Sequence, residues 1–89
     1  MLKRIYALLG FETWYVWGWD TFGRHWYFCS EHLSEVRAVR STRAHRRDFD
    51  RKNPDAGSIR DRYCVVRPDG THYWADEDDP PGDVPNPRN

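Results

Sequence analysis

The sequence predicts a small α+β domain of order ββαββ: two antiparallel hairpins packed on a central helix, preceded by a short N-terminal helix. Three stretches carry this expectation. Residues 11–32, FETWYVWGWDTFGRHWYFCSEH, hold four of the five tryptophans and are rich in aromatic strand formers around an Asp20-Thr21-Phe22-Gly23 turn. The run from Ser30 to Lys52 starts with apolar residues at helical spacing and then turns to arginine. A Pro68-Asp69-Gly70 turn joins two further strand-like runs.

Eighty-nine residues make one domain with a modest core, expected over 1–75, followed by an acidic, proline-rich flexible tail over 76–89. That length excludes an enzyme with a deep cleft and a separate cofactor fold. Hydrophobic content is only 38% while aromatic content is 16%, so a few large rings must build the core. The formal net charge of zero conceals a segregation: Asp76, Glu77, Asp78, Asp79 and Asp83 crowd into 76–83, leaving nine acids against all 14 bases in the rest of the chain. The apolar run Ile5 to Leu9 is too short for a secretory signal, and no run approaches a membrane span. These features predict a cytoplasmic protein without membrane association, with Cys29 and Cys64 reduced.

Taken in order, Leu2, Ile5, Leu8 and Leu9 fall at helical spacing with Lys3 and Arg4 opposite, and Gly10 is a stop signal; a strand is the alternative. Phe11 to Trp19 reads as a strand apolar on both faces, so one face needs a second layer or a partner. Arg24 to Cys29 returns antiparallel. Ser30 is the expected N-cap, with Glu31 in the first turn and Leu33, Val36 and Val39 anchoring the helix on the sheet. Beyond Val39 come Arg40, Arg43, Arg46, Arg47, Arg51 and Lys52, and the helix ends before Asn53-Pro54. Ile59 to Arg67 and Thr71 to Ala75 form the second hairpin. From Asp76 onward, acids and four prolines leave Val84 as the one large apolar residue.

Cys29-Ser30-Glu31-His32 is a Cys-x-x-His pair at a strand-to-helix junction, from which treble-clef fingers supply their second ligand pair. Ahead of it, Trp14-Tyr15-Val16-Trp17-Gly18 keeps the spacing and glycine of that family's Cys-x-x-Cys-Gly knuckle, with tryptophans in place of the cysteines. Over about a quarter of its length the chain thus resembles a degenerate treble-clef-like zinc finger. With Arg67 facing Thr71 across the second turn, Cys64 and His72 become diagonal neighbours on one face. Cys29, His32, Cys64 and His72 would then make a Cys₂His₂ set for one structural zinc, with His25 or His45 as spares. The competing reading makes the cysteines small buried hydrophobes and His32 an exposed first-turn residue. No cofactor is expected unless those four residues hold the structural zinc.

For catalysis, Cys29 at a helix N-terminus with a histidine nearby is the minimum for a nucleophile and base. No orienting third residue, oxyanion loop, phosphate-cradling loop or spaced carboxylate pair accompanies it, so the chain reads as a non-enzyme.

Two surfaces remain. Phe11, Tyr15, Trp17, Trp19 and Tyr27 offer an aromatic sheet face, and Arg40, Arg43 and Arg47 form a helical stripe extended by Arg37 and Arg51. Trp, Tyr and Arg are enriched in binding hot spots, which points to a protein partner anchored on the rings and oriented by the arginines. Such a module serves equally as regulator, inhibitor or assembly subunit, a small virion component included, in any oligomeric state. The alternative is a nucleic-acid-binding regulator in which the arginines meet phosphates and the rings stack on bases, with the acidic tail competing for the stripe. The plainest reading of the stripe is a solvated helix face.

Overall fold

The computed structural model describes residues 12–75. Two aromatic strands open the fold, β1 (Trp14–Asp20) and β2 (His25–His32). In the turn between them, the Asp20 carboxylate accepts from the Gly23 amide at 2.8 Å and the Asp20 carbonyl from the Arg24 amide at 2.7 Å. Then come α1 (Glu35–Lys52), a 3₁₀ turn at Gly57–Ile59, β3 (Arg62–Val66) and the two-residue β4 (His72–Tyr73). The Arg67 amide donates to the Thr71 carbonyl at 2.7 Å, and Gly70 holds the positive φ of 93° that this turn requires. The predicted N-terminal helix at Leu2–Leu9 and the acidic tail lie outside the described residues.

The α+β class and the order ββαββ match the sequence reading, but the assembly does not. The two hairpins join edge to edge in one antiparallel sheet of order β2-β1-β3-β4, with Tyr15 opposite Val66, Trp17 opposite Cys64 and Trp19 opposite Arg62. A strand apolar on both faces is a poor edge, because its second row of backbone N–H and C=O groups would stay unpaired; β3 supplies the partners. Since β1 is antiparallel to both neighbours, β2 and β3 run parallel, and α1 crosses one face of the sheet between them.

Two apolar clusters result. On the α1 side, Val16, Ala38 and Val65 are buried, flanked by Trp14, Cys29, Val39, Tyr73 and Ala75. On the other face Tyr15, Cys64 and Val66 lie under Trp17, Trp26 and Trp74, so this face buries its small residues beneath its own large rings. Gly18 is needed for close approach: a Cβ there would sit 2.3 Å from Cζ of Tyr27, whose ring crosses over it on the helix side.

The helix begins later than predicted. β2 continues through Ser30, Glu31 and His32, which pair with Val16, Tyr15 and Trp14, and the cap is Ser34, whose Oγ accepts from the Arg37 amide at 3.3 Å. Ser30 is taken up by the ladder with β1, and the helix starts only after that ladder ends at His32. Its buried face is also different: Ala38, Thr42 and Arg46 meet the sheet, whereas Val36 is 66% exposed and Leu33 41%. The sheet already fills this interface with Tyr27, Tyr63 and Tyr73, and only small or slender side chains fit beneath the helix.

Candidate functional site

The sheet separates the four zinc candidates. Cys29 packs in the cluster under α1, and His32 Nε2 lies 2.8 Å from Ser30 Oγ, which in turn meets Ser41 of the helix at 3.0 Å. Cys64 belongs to the opposite cluster, and His72 lies edge-on to Trp26 and Trp74 there. Among the described residues no group of three or more His, Cys, Asp or Glu side chains is placed to hold a metal ion. The zinc-finger resemblance is therefore overturned. Its motif needs a turn to draw Cys29 and His32 together, but both lie in an extended strand, where three steps separate Cα atoms by about 10 Å. The proposed spares are engaged elsewhere: His25 lies 3.7 Å from Asp20, and His45 stacks on Tyr63 at 5.5 Å.

Cys29 is the extra residue of a β-bulge, since Val16 pairs with Ser30 and Trp17 with Phe28. It does not sit at the helix N-terminus, and burial pushes its thiol up to about 11 and that of Cys64 up to about 12. Both cysteines are free.

The proposed aromatic anchors divide. Phe11 lies outside the described residues. Tyr15 and Trp19 are buried at 9% and 3% exposure, and Trp17 is half-buried beside Phe28, which keeps 48% of its surface open. Tyr27 points to the other side, donating its hydroxyl to Asp61 and lying 3.4 Å from the Tyr63 hydroxyl. Burial, aided by Asp61, raises the Tyr27 phenol far above its usual range, and burial also raises the Asp61 carboxyl. On the second face the structure adds Trp26 and Trp74, stacked at 5.9 Å, a contact that depends on the joining of the two hairpins.

The arginine stripe divides more simply. Arg46 is core: its Nη1 donates to the Asp61 carbonyl at 2.8 Å, and its guanidinium lies 5.6 Å from the Tyr63 ring centre. Arg51 pairs with Asp48, as does Lys52 at 3.1 Å, and these cations hold the Asp48 carboxyl below its usual range. Arg40, Arg43 and Arg47 stand exposed on the outer face, with no acidic partner among the described residues. At i, i+4, i+7 and i+11, Val36 lines up with them. Glu35, Val36, Val39, Arg40 and Arg43 line an open groove of about 350 Å³. Its acid is already engaged, because the Tyr73 hydroxyl donates to Glu35 at 2.6 Å and that phenol is pushed up to about 12 by burial and by Glu35.

Val36 is the residue that sequence reasoning assigned to the core; the signal that could have freed it is Ser34, a second capping residue four positions after Ser30. No helix among the described residues is long and apolar enough to cross a membrane. Comparison with family models, with curated proteins and with solved structures gives no match to this chain, so the site stands on its own geometry.

Proposed function

We propose that this chain is a small non-catalytic protein-binding module, a regulator, inhibitor or assembly subunit, that docks an acidic, partly apolar partner surface on the outer face of α1. The observation that carries this reading is the exposed Val36 set among Arg40, Arg43 and Arg47 over an open groove. Val36, 66% exposed, sets an apolar contact beside charges that steer and orient, the combination that binding faces use. The non-catalytic part is supported by the position of Cys29 in a bulge and by the burial that keeps its thiol protonated at neutral pH. Trp17 and Phe28 on the far sheet face offer a subsidiary contact.

The nucleic-acid reading keeps one supporting observation: Arg40, Arg43 and Arg47 span about 10 Å along one helix face, a length matched to successive phosphates. A photo-crosslinking residue placed at Val36 of the full chain, irradiated in extract of the source cells, decides between them. The expected product is a protein adduct that survives nuclease, disappears when Arg40 and Arg43 are changed to Glu, and does not form from the same probe at exposed Asp55. An adduct consisting of nucleic acid, or equal labelling from Asp55, overturns the protein-binding reading.

A further inference from the structure

We infer that the acidic segment 76–83 of this same chain is an intramolecular occupant of the α1 groove, covering Arg43 and Arg47 until a more strongly acidic partner displaces it. The consequence for partners rests on the reading above; the internal contact does not.

The first argument is where the chain leaves the sheet. The Tyr73 hydroxyl meets Glu35, and two residues later Ala75 packs in the cluster with Ala38 and Val39. Tyr73 and Ala75 thus both lie on the α1 side of the sheet, and the described chain ends beside the helix. Asp76 is the next residue in the chain, and Val39, in the same cluster as Ala75, lies about one helical turn before Arg43.

The second argument is reach. From the level of Val39, Arg43 lies about 6 Å and Arg47 about 12 Å further along the helix axis at 1.5 Å per residue. Asp76, Glu77, Asp78 and Asp79, extended, cover about 13 Å at roughly 3.3 Å per residue. Pro80 and Pro81, which come next, have no backbone N–H to donate to a neighbouring strand.

The third argument is charge. Other cations near the C-terminal half of α1 have acidic partners in the fold: Arg51 and Lys52 hold Asp48, while Arg46 and Arg60 each lie 3.9 Å from Asp50. Arg43 and Arg47 have none among the described residues, and five acids follow Ala75 in the sequence. A tethered segment acts at an effective concentration of about 1 mM, so even a local dissociation constant of about 0.1 mM suppresses an outside competitor about tenfold. A competing explanation is that the acids only guard the short edge strand β4 against pairing with other chains.

The test uses the full chain and a variant carrying Asp76→Asn, Glu77→Gln, Asp78→Asn and Asp79→Asn. The Trp19 indole resonance reports whether the fold is intact. The inference predicts that neutralisation shifts the Arg43 and Arg47 side-chain Nε–H and Val39 methyl resonances, and that high salt moves the wild-type resonances the same way. A fluorescein-labelled oligoglutamate peptide should then bind the variant about tenfold tighter than the wild type. Unchanged Arg43 and Arg47 resonances, with equal peptide binding by both proteins, overturn the inference and leave the acids as edge guards, the acidic-partner reading intact. Shifted resonances with no peptide binding to either protein uphold the internal contact and remove the acidic-partner reading.

Discussion

Cys64 and Cys29 lie on opposite faces of the sheet and meet the same fate. Cys64 is buried on one side and Cys29 half-buried on the other, and desolvation disfavours the thiolate in both places. The thiols therefore keep their protons in the folded chain at pH values where the unfolded chain has lost them. A folded state that binds more protons loses stability as pH rises. The expected outcome is a fall in unfolding free energy from pH 9 upward, continuing toward 12, the window between the ordinary thiol value and those of these two groups. Urea titrations of wild type and Cys64→Ala should show a shallower alkaline decline in the variant; an identical slope would mean that Cys64 is solvated. The sequence leaves two readings of the cysteines open, zinc ligands or small buried hydrophobes, and Cys64 in the core follows the second. The Cys-x-x-His spacing is the same whether the chain turns or extends, and only the ladder from Ser30 to His32 decides which.

At the scale of the element, α1 has two faces that the sequence shows as one run of arginines. The inner face is built from Ala38, Thr42 and Arg46, and Arg46 uses its length to reach the Asp61 carbonyl past the Tyr63 ring. The outer face carries Val36, Arg40, Arg43 and Arg47. Arg46→Met should cost about 2 kcal/mol, because it leaves a buried carbonyl without its charged donor. Arg43→Met should stay within about 0.5 kcal/mol, as an exposed substitution does. Urea unfolding midpoints with unchanged slopes measure both, and equal effects would contradict the division of the helix. The period of the arginines could not reveal it. A capping serine at either 30 or 34 fits the pattern, and the phase of the buried face is set by which rings of the sheet lie underneath.

At the scale of the molecule, local signals predicted the elements and long-range pairing decided their arrangement. Both turns are where their residues place them, Asp20 and Gly23 closing one and Gly70 the other. The pairing of β1 with β3 joins residues more than forty positions apart, as between Val16 and Val65, and no local pattern announces it. That pairing stacks Trp26 near Trp74 and buries Trp19, which draws the aromatic anchors inward and leaves the helix as the better-exposed surface. The central claim, a protein partner held on the outer face of α1, is tested most directly by native mass spectrometry of the full chain purified gently from its source cells. The account predicts a complex whose added mass is a single protein species, and its loss when Arg43→Glu reverses one charge of the stripe. An added mass of nucleic acid, or a protein complex indifferent to that substitution, would contradict it.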